Sequence, residues 1–294
     1  MSDLQHTRVG IVGLGLMGGS LALALRGHVP YLLGVDRQPA TRQAALRDGI
    51  VDEAVEALTP DAPPVDLLVL ATPVRAILDT LTRLPALRPD GCAVLDLGST
   101  KRAVVAAMSA LPERFPAIGG HPMCGKETAG LAAAAADLYR GQTFVLCPLP
   151  DAPPAAEQLA RQLIAAIGAR PVVLDAARHD ATVAAVSHLP YLLAGALMRG
   201  AADERLWAIS ASGFRDTARL AGSDPRMMLD ILLTNREAVL DALREAETEL
   251  AAVRDALADG DEAALAEWLS AAQVAYAAYR RFKSGEHLLP GAQT

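Results

Sequence analysis

Six residues near the start of the chain, Gly13-Leu14-Gly15-Leu16-Met17-Gly18, restrict its fold more than any other segment. They follow a short apolar run, Arg8 to Val12, that reads as a strand, and they open a stretch, Leu16 to Arg26, that reads as a helix. A strand that turns straight into a helix needs a glycine at the bend (Gly13) and another where backbone must approach a ligand (Gly15). It needs a third where helix and strand touch (Gly18). The helix N-terminus then offers N–H groups to a pyrophosphate. Asp36 closes the next strand-like run, Tyr31 to Val35, about 20 residues on, where a carboxylate accepts from a ribose 2′-hydroxyl. Gly13, Gly15, Leu16, Met17, Gly18 and Asp36 therefore form a candidate dinucleotide site. The carboxylate favours NAD over NADP, whose 2′-phosphate it repels, although Arg37 beside it leaves room for NADP.

The rest of the first half repeats the alternation. Leu67–Ala71, Ala93–Leu97, Thr143–Leu146 and Pro171–Leu174 read as short buried strands, with helical stretches such as Ala40–Arg47 and Ala155–Ile167 between them. This predicts an α/β Rossmann-type parallel sheet with helices on both faces. Beyond Asp175 the strand signals stop. Ala176–Arg199, Leu206–Leu220, Pro225–Arg254 and Glu262–Lys283 are alanine- and leucine-rich and helical in pattern. The expected organisation is a dinucleotide-binding domain over residues 1–174, followed by an all-helical domain over 175–294. The second would bind substrate and form a homodimer.

Composition narrows the partners. A net charge of −7 in 294 residues argues against nucleic acid, while local arginines can still hold an anionic small molecule. Cys92, Cys124 and Cys147 are odd in number and irregular in spacing, so neither a disulfide framework nor a metal knuckle is expected. That usage suits a reducing, cytoplasmic setting. The first apolar run is too short for a signal peptide, and no long stretch free of charge and glycine predicts a membrane span.

Chemistry gathers at the carboxyl ends of the predicted strands, the edge at which open α/β sheets bind ligands. Thr72-Pro73 follows the third strand of the reading and should face the cofactor. Ser99 follows the fourth, in Leu97-Gly98-Ser99-Thr100-Lys101. His121 stands in Gly119-Gly120-His121-Pro122-Met123-Cys124-Gly125, read as a glycine-rich loop. An imidazole there can take a proton from an alcohol being oxidised. Ser99 either bonds His121 and fixes its tautomer or caps the helix expected to begin near Lys101. Glu127 should lie at the cleft mouth. His179 and His188 fall on one predicted helix, nine residues apart, about 2.5 turns, and so should point to opposite faces. Arg215 and Arg219, four apart, should share a helical face, where one guanidinium can clamp a carboxylate.

Together these segments resemble the prephenate/arogenate dehydrogenase family. The resemblance is carried in order by Gly13–Ser20 (GLGLMGGS), Asp96–Lys101 (DLGSTK), Gly119–Gly125 (GGHPMCG), Ser187–Pro190 (SHLP) and Gly213–Ala221 (GFRDTARLA), and it covers nearly the whole chain. It implies NAD-dependent oxidative decarboxylation of a cyclohexadienol. His121 would be the base, assisted by Ser99, and Arg219 would hold a substrate carboxylate. His179 and Glu127 would be at the substrate pocket and its entrance. Tyr191 stands where many prephenate-using members have histidine, which leaves prephenate and arogenate both open. A rival within the same layout is a β-hydroxyacid dehydrogenase, which relies on a lysine in the first long helix of the second domain. Ala176–Arg199 contains none. A non-catalytic NAD-binding protein is a second rival, disfavoured by the presence of Ser99, His121 and Arg219 together.

Overall fold

The computed structural model describes residues 4–126, 128–150 and 154–284. The strands are β1 (Arg8–Val12), β2 (Tyr31–Val35), β3 (Glu53–Val55), β4 (Leu67–Leu70), β5 (Ala93–Asp96), β6 (Ala117–Pro122), β7 (Thr143–Pro148) and β8 (Arg170–Val173). They form one sheet in the order β3-β2-β1-β4-β5-β6-β7-β8. All neighbours are parallel except β6 and β7, which pair antiparallel. The strand order reverses between β1 and β4, the switch point at which such sheets leave a crevice.

The helices of the sheet layer are α1 (Leu16–Leu25), α2 (Pro39–Arg47), α3 (Val74–Leu87), α4 (Arg102–Ser109) and α5 (Pro154–Ala166). Alternate strand residues feed two separate cores. Val9, Ile11, Leu67, Val69 and Leu95 face one side with residues of α1 and α5. Leu33, Val35, Leu68, Leu70 and Val94 face the other with Ile77, Leu81, Val104 and Met108 of α3 and α4. Burial on both faces explains why these strands read as continuous apolar runs.

A helical succession follows: α6 (Ala176–Val183), a π-helical turn (Ala184–His188), α7 (Leu189–Gly200), α8 (Glu204–Trp207), α9 (Ser212–Ala218), α10 (Pro225–Thr234), α11 (Arg236–Asp259) and α12 (Glu262–Lys283). Ala176–Gly200 is long and apolar enough by composition to cross a membrane, which the sequence pattern did not suggest. Its buried His179, Asp180 and His188, however, join polar networks with the rest of the fold. Two bonds tie α10 to the sheet layer: Thr234 Oγ1 meets Thr100 Oγ1 at 2.8 Å, and Asp230 pairs with Arg75 of α3 at 3.6 Å.

Contacts divide the chain into two compact units, Met1–Val239 and Leu240–Thr294. In the second, α12 follows Gly260, which has φ +66°, and its first turn is capped by Asp261, which accepts from the Ala264 amide. Trp268 of α12 donates to Glu249 of α11 at 2.8 Å. Large apolar side chains stay exposed there, among them Leu257, Leu269, Val274, Tyr276 and Tyr279.

The structure gives the first glycine motif its physical reasons. Gly13 has φ +93°, a conformation that side chains resist, and a Cβ there would meet the Ala71 carbonyl at 2.9 Å. A Cβ on Gly18 would stand 1.9 Å from the Gly13 carbonyl oxygen. One on Gly15 would meet nothing within 4 Å. Gly18→Ala should therefore cost about 1–3 kcal/mol, read from the urea midpoint, through overpacking. Gly15→Ala should leave stability within about 0.5 kcal/mol, the range of an open position.

Candidate active site

The glycine turn opens at the switch point. No side chain caps α1, whose N-cap is Gly15. Its first amides are therefore open to an anion, and the space over Gly15 admits one. The Leu14 amide is already bound by Asp36 Oδ2 at 3.0 Å, and Asp36 Oδ1 accepts from the Gln38 amide at 2.8 Å. Asp36 thus braces the turn from the end of β2 and remains only half-buried. Across the crevice, Thr72 presents its methyl group to Gly13, and its buried hydroxyl has no partner among the described residues. Pro73 follows it as the N-cap of α3. An open helix terminus, an open glycine and an orphaned hydroxyl fit a dinucleotide.

His121 is not in a loop. It lies within β6, opposite Val145 of β7, near the carboxyl end of the strand. The glycines before it suggested a loop, but they serve close packing. A Cβ on Gly120 would stand 2.6 Å from the Asp96 carbonyl oxygen and 2.9 Å from the Phe144 ring.

Beneath it lies a buried ion pair. Lys101 Nζ bonds Asp96 Oδ2 and also donates to the Gly120 carbonyl at 2.7 Å. Asp96 Oδ1 accepts from the Gly120 amide at 3.0 Å, and Oδ2 accepts from the Gly98 amide at 2.7 Å. Both side chains are 0% exposed. The pair grips β6 on both sides of Gly120, one residue before the imidazole.

Behind His121 stands His179. The Nδ1 of His121 and the Nε2 of His179 are 2.9 Å apart, and His179 Nδ1 lies 2.7 Å from Asp180 Oδ1. Both nitrogens of the buried His179 are therefore engaged within the protein. The family resemblance implied a substrate contact for His179; within the protein its ring meets His121 and Asp180. Among the described residues, the His121 ring bonds through Nδ1 and its Nε2 meets no hydrogen-bond partner. Burial pushes the His121 imidazole well below its usual range, aided by the Lys101 ammonium and by His179 and His188.

The expectation that His179 and His188 face opposite ways is overturned. The π-helical turn at Ala184–His188 lengthens the backbone turn between them, so nine residues no longer amount to a half-integral number of α-turns. His188 comes round to the same interior. It meets Asn235 Nδ2 at 3.3 Å, and that amide also donates to the Asp180 carbonyl at 2.8 Å. Burial pushes His188 down to about 4 against the favourable Asp180 charge.

Ser99 is half-buried in the loop between β5 and α4. Among the described residues no hydrogen bond joins it to His121, nor does it cap α4. The cap comes from far along the chain: Asp180 accepts from the Lys101 and Arg102 amides at 2.7 and 2.9 Å. Arg215 and Arg219 do not share a continuous α-helix, because α9 ends at Ala218 and Arg219 begins a 3-10 turn. Arg215 is exposed and pairs with Asp216 at 3.2 Å. Tyr191 is half-buried in the first turn of α7. Glu127 lies outside the described residues. The adjacent Lys126 donates to the Ala133 carbonyl at 3.1 Å. All three cysteines are free thiols. The sequence reading missed Asp96, Lys101, Asp180 and Asn235 as parts of the site. An acid and a lysine five apart, astride a strand end, were the only signal for the first two.

A glycine turn open to a dinucleotide and a buried imidazole near the carboxyl end of β6 in the same sheet fit a dehydrogenase. The family models for the nucleotide-binding and dimerization domains of prephenate dehydrogenase match residues 21–173 and 175–271. The chain belongs to the prephenate dehydrogenase family. It is 32% identical to prephenate dehydrogenase of Bacillus subtilis, over 86% of this chain and 71% of that one. Cyclohexadienyl dehydrogenase of Zymomonas mobilis is 31% identical, over 89% of this chain and 92% of that one. The crystal structure of Aquifex aeolicus prephenate dehydrogenase in complex with hydroxyphenyl propionate and NAD+ superposes with a TM-score of 0.84. It is 29% identical and covers 95% of this chain and all of that one.

Two stability effects follow from the geometry. Lys101→Met leaves the Asp96 carboxylate buried and unpaired, and should cost about 3–5 kcal/mol in chemical denaturation. For His188, the unfolded chain takes up a proton below its ordinary value of 6.5, whereas the native ring refuses it down to about 4. Stability should therefore fall with pH across that window, by roughly 3 kcal/mol. His188→Gln should flatten the slope of urea midpoint against pH.

Proposed function

We propose that this protein catalyses the NAD-dependent oxidative decarboxylation of prephenate to 4-hydroxyphenylpyruvate and CO2. The observation that carries the reading is His121 near the carboxyl end of β6 with its Nδ1 engaged by His179, an arrangement that would leave Nε2 for the substrate. NAD, when bound, supplies the hydride acceptor. Gly13, Gly15, Leu16, Met17 and Gly18 would hold its pyrophosphate, Asp36 a ribose hydroxyl, and Thr72 and Pro73 the opposite wall. The anionic Asp36 favours NAD over NADP.

His121 Nε2 accepts the proton of the C4 hydroxyl as hydride leaves C4. The ring carboxylate departs as CO2, and its bonding pair passes into the ring to complete the aromatic system. The phenolate oxygen so formed takes the proton back, and the base is restored. Ser99, half-buried in the loop between β5 and α4, would hydrogen-bond the reacting hydroxyl or His121. Arg219 would hold a substrate carboxylate, with Glu127 at the entrance, Tyr191 near the side chain of the substrate and Arg215 at its margin. Lys101, buried against Asp96, is not available as a base, which speaks against a lysine-dependent β-hydroxyacid dehydrogenase.

We further propose a division at residues 174 and 175 between cofactor and helical parts, supported by the ranges of the family models. A homodimer through the helical part is supported by the dimerization-domain match and by the apolar side chains left exposed on α11 and α12, and the free thiols of Cys92, Cys124 and Cys147 suit a cytoplasmic setting.

The first test is NADH absorbance with NAD and, separately, prephenate and arogenate. Turnover of prephenate is expected; turnover of arogenate alone would reassign the substrate and point to Tyr191. His121→Asn should lower kcat by about 10²–10⁴-fold with NAD affinity kept. Because burial, Lys101, His179 and His188 all disfavour the protonated ring, the acid limb of kcat/KM should lie below pH 6.5. A limb above that value would remove His121 as the titrating base.

A further inference from the structure

A neutral imidazole can be a base only on the nitrogen that lacks a proton, so the direction of the hydrogen bond between His121 and His179 decides whether His121 works. The direction is set one residue further back. Three donors converge on the Asp180 carboxylate: the Lys101 amide and His179 Nδ1 on Oδ1, and the Arg102 amide on Oδ2. A carboxylate so surrounded acts only as an acceptor. His179 must then carry its proton on Nδ1, and in its neutral form its Nε2 is a lone pair. That lone pair can meet only an N–H, so His121 carries its proton on Nδ1. Its Nε2 is left bare.

We propose that Asp180 is a positioning residue for the base: through His179 it fixes the His121 tautomer with the Nε2 lone pair toward the substrate. The inference rests on the assignment of His121 as the base. The carboxylate is itself fixed. It sits against the first amides of α4, where the positive end of the helix favours an anion. Its carbonyl is held by Asn235. The same contact ties α6 to the loop that carries Ser99, so one side chain sets both the tautomer and the placement of that loop. The arrangement also bears on the strength of the base. Burial and the Lys101 charge both weaken His121 as a proton acceptor.

The test reads the tautomer directly. In long-range 1H–15N spectra of histidine-labelled protein at neutral pH, without NAD or substrate, His121 should show a protonated Nδ1 and a bare Nε2. His121→Asn and His179→Gln spectra assign the signals. A wild-type His121 protonated on Nε2 would overturn the proposal, whatever any variant does. Asp180→Asn offers one oxygen where two are used. It should move His121 toward the Nε2-protonated form and lower kcat about a hundredfold or more, with KM for prephenate changed less than about threefold. Asp180→Glu, able to accept but with a longer reach, should recover part of kcat together with the Nδ1 signal. A folded Asp180→Asn protein with the wild-type tautomer, or with KM and kcat impaired equally, would reduce Asp180 to a helix cap and overturn the role. Because the tautomer is read without substrate, failure to turn over prephenate or arogenate would count against the assigned reaction and leave the relay standing.

Discussion

The site hangs on the buried pair of Asp96 and Lys101. Two charges without solvent are costly, and their mutual attraction offsets that cost only when the remaining lone pairs and protons also find partners. Here they do. Asp96 takes the amides of Gly98 and Gly120, and Lys101 takes the Gly120 carbonyl. The outcome is geometric. The end of β5, the start of α4 and the strand that carries His121 are locked at one point, with no room for a side chain on Gly120. Burial first, and then the Lys101 charge, disfavour protonation of the imidazole.

A second carboxylate completes the frame from the opposite direction. Asp180 comes from the first helix after the sheet layer and caps a helix that lies inside that layer. Thr234 and Asn235 join it from the end of α10. The helical succession up to Val239 is therefore part of the active-site scaffold. This is why contacts group it with the sheet, although the family models divide the chain near residue 174.

What was legible in the sequence were the features that depend on neighbours in the chain. β1 and β2 begin and end where the apolar runs do, α12 spans Glu262–Lys283 as its pattern implies, and the three glycines of the first turn have the steric roles their spacing suggests. What was not legible depends on partners far away. The short β3 has only three residues and is held by pairing with β2. The antiparallel partner β7 turns an apparent glycine loop into the strand that bears His121. The π-helical turn is invisible to a count of 3.6 residues per turn, so the two histidines were assigned to opposite faces. Nothing in the chain around Asp180 marks it as buried. Its burial rests on amides 78 and 79 residues away.

The strand placement of His121 has an evolutionary consequence. His121 inherits the stiffness of a sheet, whereas Tyr191, Arg215 and Arg219 stand on the helical segments that follow. A lineage can vary those helical positions without disturbing the β6–β7 register that holds the imidazole.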